Sequence, residues 1–224
     1  MKPIKESYFT PASIAHKAQE MKQSLNGLIR KQAVLFSPAE AALLVLDMQS
    51  YFLQEPSHAF IPSAIAILPK VNVLIEAFTA KELPVFFSRH LNTLEDAGSM
   101  STWWREILTP DHPMSEIDPR IEIKNGILFR KTRYDAFFDS PLAKMLHEKN
   151  VRQVVICGVM THLCCETTAR SAFMRGFDVF FTIDGTATYN EAFHNASLMN
   201  LAHGFAIPIL VQDILGSLES ESRG

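Results

Sequence analysis

Cys164 stands in the segment GVMTHLCCETTAR (158–170), directly after the apolar run VRQVVICG. A strand ending near Gly158 and a helix starting near Thr161 put this thiol in the first helical turn. Unpaired backbone N–H groups point outward there, and the helix dipole favours negative charge. A thiol so placed is expected to lose its proton more readily than a free one and to act as a nucleophile. The alternative is a small packing residue. Asp47 follows a second apolar run, AALLVL, and reads as a carboxylate at a strand end. It suits a general base, and equally a polar cap of the following turn. Cys157, inside a strand, and Cys165, a quarter-turn from Cys164, read as packing residues.

These groups need a frame that brings distant strand ends together. Continuous apolar runs at 41–46, 84–89, 151–157, 177–183 and 206–211 suit strands buried on both faces of a parallel sheet. Residues 126–130 suit a short strand or an extended loop. Helical spacing covers 63–81, 140–149, 161–175 and 191–203, with a short helix around Trp103 and Trp104 inside the irregular stretch 91–124. Ile14, Ala18, Met21, Leu25 and Leu28 mark an amphipathic helix over 11–31, suited to lie on the main body or on a partner. Alternation of this kind predicts a doubly wound, mostly parallel α/β sheet with helices on both faces, in one domain. That domain spans 41–215, after an N-terminal extension (1–40) and before a flexible polar tail (216–224). Sites in such folds collect at the carboxyl ends of strands, where Asp47 and the Cys164 turn both fall.

Composition excludes several classes. The 224 residues are 47% hydrophobic and 20% charged, as in a soluble globular domain, and the net charge of −3 leaves no basic footprint for nucleic acid. No apolar run reaches the ~18 residues of a membrane span. The N-terminus lacks the apolar core of a secretory leader. The three cysteines crowd into 157–165, which points to free thiols in a reducing cytoplasm.

Four segments together are more specific. LLVLDMQ, FRKTRYDAFFDS, ICGVMTHLCCETTARSAFMRGF and FTIDGTATYN, in this order and spacing from 42 to 211, resemble the isochorismatase-like hydrolase superfamily. The resemblance implies an Asp–Lys–Cys triad at Asp47, Lys131 and Cys164. It selects Cys164 over Cys165, because the family nucleophile follows a G-V-x-T-x-x segment, here 158–163. It also implies a cis peptide between Val159 and Met160 and an oxyanion hole from the Met160 and Cys164 N–H groups. The implied activity is hydrolysis of a small amide or related C–N bond, on a small-molecule substrate, by a homo-oligomer.

Two departures shape the expectation. Family nicotinamidases carry a metal site with an Asp-x-His pattern after the first strand and a His after the second. Here the first segment reads DMQSYFLQEPSHAF, and His90 stands alone as a surface or packing residue, so no metal and no cofactor are expected. Conversely, KTRYDAFF and THLCC resemble the isochorismatases, which cleave a vinyl ether with the aspartate as acid. In their G-C pair, glycine stands where Cys164 stands here, and Cys165 matches the cysteine. Vinyl-ether hydrolysis is therefore the second reading, and a non-catalytic binding protein the third. Arg133 and Tyr134 are expected to bind a carboxylate or line the pocket, and Gln49 to contact substrate. Trp103, Trp104, Phe137 and Phe138 are expected to wall an apolar pocket. The alternatives are a surface ion pair for Arg133 and core packing for the aromatics.

Overall fold

All six residues of Ala41–Leu46 are buried, and they form the first strand, β1. The computed structural model describes residues 4–28 and 34–220. The other strands are β2 (Val85–His90), β3 (Ile127–Lys131), β4 (Gln153–Val159), β5 (Asp178–Ala187) and β6 (Ile207–Ile209). They make one parallel sheet in the order β3-β2-β1-β4-β5-β6. Apolar runs on both faces are what a parallel sheet covered by helices demands. The expected α/β, doubly wound, single-domain architecture is what the chain adopts.

The chain order reverses between β1 and β4. Helix α3 (Ala64–Ala80) follows β1, packs on it, and meets α8 (Val211–Ser220). Helices α6 (Glu166–Met174) and α7 (Glu191–Gly204) follow β4 and β5 and pack on each other. Right-handed crossovers running in opposite directions from the switch point put these two sets on opposite faces. The short helices are α2 (Ser50–Leu53), α4 (Met100–Trp103) and α5 (Leu142–Glu148). β3 settles the ambiguity at 126–130 as an edge strand. Its inner residues Phe129 and Lys131 are buried while Leu128 and Arg130 face out.

Helix α1 (Ile14–Ser24) buries Ile14, Ala18 and Met21, and packs on β5 of its own chain. Lys17 and Lys22 tie it to Glu191 and Asp213 at 2.6 Å each. Its apolar face is therefore spent within the chain and not offered to a partner. Burial of each large apolar side chain there stabilises by about 1.5–3 kcal/mol. Residues 29–31, the end of the expected helix, lie outside the described residues.

The expected flexible tail is corrected over most of its length. Residues 216–220 continue α8, whose Val211, Ile214 and Leu218 sit on one buried stripe; 221–224 lie outside the described residues. The last strand is accordingly shorter than 206–211. The N-terminal extension is also ordered where described, with Tyr8 and Phe9 buried.

Candidate active site

The site forms where the carboxyl ends of β1, β2, β3 and β4 converge. Gly158 makes the convergence possible. Its φ is +112°, and a Cβ there would stand 2.1 Å from the Leu46 carbonyl oxygen. Only glycine allows this approach of β4 to β1 at the switch point. Beyond it the Val159–Met160 peptide is cis, as the resemblance implied. The chain then enters a π-helical turn, Thr161–Cys165, before α6. In that turn the Leu163 and Cys165 N–H groups both donate to the Met160 carbonyl. Asp47, directly after β1, adopts a left-handed φ of 51°.

Lys131 joins the other groups. Its Nζ lies 2.8 Å from Asp47 Oδ2 and 3.2 Å from Cys164 Sγ, with the lysine and aspartate side chains fully buried. The same ammonium donates to the Arg133 carbonyl at 2.8 Å and to His90 Nδ1 at 3.3 Å. Asp47 Oδ1 accepts from Ser88 Oγ at 2.6 Å. Burial opposes the Lys131 charge, but Asp47 and Cys164 more than offset it, so the lysine pKa is raised. Burial, with the Asp47 carboxylate second, pushes the Cys164 thiol up to about 12 against the opposing pull of Lys131. This reverses the expectation of an acidified thiol: the resting group is protonated at neutral pH. Cys157 and Cys165 are fully buried beside the site and also held protonated by burial.

Cys164 opens onto a cavity of about 600 Å³, its mouth included. Phe52, Trp104, Tyr134, Leu163 and Tyr189 give it apolar walls, and Met160 lines it next to the thiol. Its polar residues are His90, Asn92, Tyr51, His58 and Glu106. Glu106 Oε1 accepts from Tyr51 Oη at 3.0 Å and pairs with His58 Nδ1 at 2.8 Å, which together lower its pKa. No lysine or arginine lines this cavity among the described residues.

Several expectations change. His90 is not a surface residue but lines the cavity beside Lys131. Burial first, then Lys131, lower its pKa to about 4, so it is neutral. Its Nδ1 accepts from the ammonium, which leaves the ring proton on Nε2 as a donor. Gln49 is fully buried and does not line the cavity. Its amide braces the end of β2 through the His90 N–H (2.8 Å) and the Ser115 carbonyl (2.6 Å). Arg133 points to the Asp96 carbonyl (2.7 Å) and lies over Phe138, away from the cavity. Phe137 stacks on Phe177 in the core. Tyr134 does line the cavity, and its Oη accepts from Trp104 Nε1 at 2.8 Å; Trp103 is exposed. Sequence reasoning missed Asn92. Its Nδ2 donates to Asp96 and to the Thr132 carbonyl, while its buried Oδ1 has no hydrogen-bond partner. Tyr51, His58, Glu106 and Tyr189 were missed as well, because they stand in a four-residue helix and in loops without periodicity.

Among the described residues, one group of three possible metal ligands lies within reach of a common ion: Asp47, His90 and Cys164, with donor atoms within 4.8 Å of one another. Lys131 Nζ stands at 2.8, 3.3 and 3.2 Å from those same three groups, so the ammonium fills the position a metal would take. The residues do not fit a metal centre.

The model of the Isochorismatase domain matches residues 41–213. Nicotinamidase 3 of Arabidopsis thaliana is 41% identical over 171 residues, covering 74% of this chain and 82% of that protein. Enterobactin synthase component B of Escherichia coli (strain K12) is 29% identical over 184 residues, or 80% of this chain; the chain spans 64% of that protein's length. A cysteine hydrolase structure from Pseudomonas syringae pv. phaseolicola 1448A shares the fold at a TM-score of 0.81 and 24% identity, covering 86% of this chain and 99% of that one. With the sheet order, the switch-point site and these matches in agreement, this chain belongs to the isochorismatase domain family of hydrolases.

Proposed function

We propose that this chain is a metal-independent cysteine amidohydrolase that cleaves a small, neutral, aromatic carboxamide. The observation that carries the reading is Cys164 Sγ at 3.2 Å from a lysine that also pairs with Asp47 at 2.8 Å, at the end of an aromatic-walled cavity. Nicotinamide is the first compound to test, given the relative named above. The missing Asp-x-His pattern speaks against a metal and not against that substrate.

Asp47 takes the Cys164 thiol proton as Sγ attacks the amide carbon. A protonated resting thiol suits this concerted transfer. The oxyanion is held by the Met160 and Cys164 N–H groups, a contribution of ~3 kcal/mol per donor in comparable sites. Asp47 then gives its proton to the leaving nitrogen, the C–N bond breaks, and a thioester remains. Water attacks the thioester, Asp47 takes the water proton, and the departing sulfur recovers it. Lys131 holds Asp47 in place and stabilises the transient thiolate. Asn92 Oδ1, an unpaired buried acceptor, receives a substrate N–H.

Cavity charge separates this reading from vinyl-ether hydrolysis. Isochorismate is a dicarboxylate, and the cavity presents Glu106 and no lining arginine or lysine. The test is an ammonia-release assay over nicotinamide and other small aromatic amides, with isochorismate cleavage in parallel. Wild type should release ammonia from an amide, and Cys164→Ala should lose at least about 10³-fold in rate. Cleavage of isochorismate undiminished in Cys164→Ala would refute the proposal.

A further inference from the structure

We infer that the N-terminal segment 4–9 is part of the frame of the substrate cavity and that Lys5 is a positioning residue for substrate. This segment lies outside residues 41–213, the stretch that matches the family domain. Two cavity-lining residues, His58 and Tyr189, stand in different loops, one after α2 and one after β5. Neither loop is held by sheet pairing, so their relative position depends on tertiary bonds.

Lys5 joins the two loops. Its Nζ donates to the His58 carbonyl and, at 2.8 Å, to the Phe60 carbonyl, and it lies 4.7 Å from the centroid of the Tyr189 ring. Neighbouring residues repeat the bridge. The Glu6 N–H donates to the Tyr189 carbonyl at 2.7 Å, and the Glu6 carbonyl accepts from Ser63 Oγ at 3.1 Å. Tyr8 Oη accepts from the Thr188 N–H at 3.0 Å, and the Phe9 N–H donates to Ser63 Oγ at 3.1 Å. Tyr8 and Phe9 are buried and anchor the segment, whereas the Lys5 bonds are exposed. Water can replace those exposed bonds at little cost to folding, but it cannot hold two loops at a fixed separation. Loss of the Lys5 ammonium therefore acts on substrate affinity and not on the fold or the triad.

The inference rests on the cavity being the substrate site, so its test has a readout independent of turnover. Steady-state kinetics on the amide that wild type hydrolyses best are compared for wild type, Lys5→Met and Lys5→Arg in the full chain. Lys5→Met should raise KM about five- to tenfold with kcat within about twofold, and Lys5→Arg should restore most of the loss. In parallel, mass spectrometry follows alkylation of Cys164 by iodoacetamide and by the wider N-phenylmaleimide. In Lys5→Met the ratio of the two rates should shift several-fold toward the wider reagent. An unchanged KM, or an equal fall in kcat without a KM change, overturns the inference. If wild type hydrolyses no amide, the proposed function fails, and the alkylation ratio alone decides this inference: an unchanged ratio overturns it.

Discussion

Cys164 sits among opposing electrostatic influences. A helix start and a nearby lysine both favour a thiolate, yet burial and the Asp47 carboxylate outweigh them and hold the thiol near 12. Alkylation by iodoacetamide should consequently be slow at pH 7 and keep rising beyond pH 9, where an ordinary thiol has levelled off. A plateau below pH 8 would contradict the buried-thiol picture. Lys131→Met removes the ion-pair partner of a fully buried aspartate and leaves it the Ser88 hydroxyl. It should cost about 3–5 kcal/mol in denaturant unfolding, along with a loss of at least about 10²-fold in amide hydrolysis. Asn92→Ala removes an unpaired cavity acceptor together with the two hydrogen bonds that its Nδ2 donates to Asp96 and the Thr132 carbonyl, so it should raise KM and also cost about 1–3 kcal/mol in denaturant unfolding.

At the scale of the element, the β1–β4 junction carries the geometry of the site. Gly158→Ala would drive a methyl into the Leu46 carbonyl and force an L-residue into a glycine conformation. The expected result is a loss of more than about 3 kcal/mol in stability together with activity, because Asp47 and Cys164 are displaced from each other. A stable, active Gly158→Ala protein would show that the close approach is dispensable. This junction was legible in the sequence, since long apolar runs ending in a polar residue announce buried parallel strands. Asp47, Lys131 and Cys164 were legible because they sit in motifs at those strand ends. Other parts were hidden for physical reasons. Strand β3 is five residues long at a sheet edge, so its burial alternates and its apolar run is weak. Helix α8, VQDILGSLES, carries only one apolar stripe in a Ser- and Glu-containing stretch that reads as tail. Arg133 and Phe137 follow β3 in irregular backbone, where spacing says nothing about direction, and both point away from the cavity.

For the molecule as a whole, three neutral histidines, His194 fully buried and His90 and His162 partly so, bear on acid stability. Burial lowers His90 and His162 to about 4 and His194 to about 3. Each has a folded pKa below its unfolded value of ~6.5, so its stabilising contribution is full above pH ~6.5 and is lost as pH falls toward 4. The combined loss is on the order of a few kcal/mol, most of it from the fully buried His194. Melting temperatures should be level from pH 8 to 7 and fall steadily from 6.5 to 4.5; a level profile down to 4.5 would contradict these assignments. No described helix is long and apolar enough to cross a membrane. Because α1 spends its apolar face on β5, replacing the exposed His16 on its outer side should leave stability unchanged, whereas Ala18→Glu should unfold the chain's own core.

The charge of the cavity lining bears on what happens after bond cleavage. Under the proposed function a neutral amide would enter a chamber that has one carboxylate at its wall and, among the described residues, no lining lysine or arginine, since Lys131 is committed to Asp47. Hydrolysis turns that guest into an anion. The acid product then lies beside Glu106, a half-exposed carboxylate paired with His58, and meets no lysine or arginine on the lining among the described residues. Departure becomes the easy direction, and re-entry the hard one. An enzyme of the proposed kind would work as a one-way valve: it should tolerate millimolar amounts of its own carboxylate product, and Glu106→Gln should increase inhibition by that product.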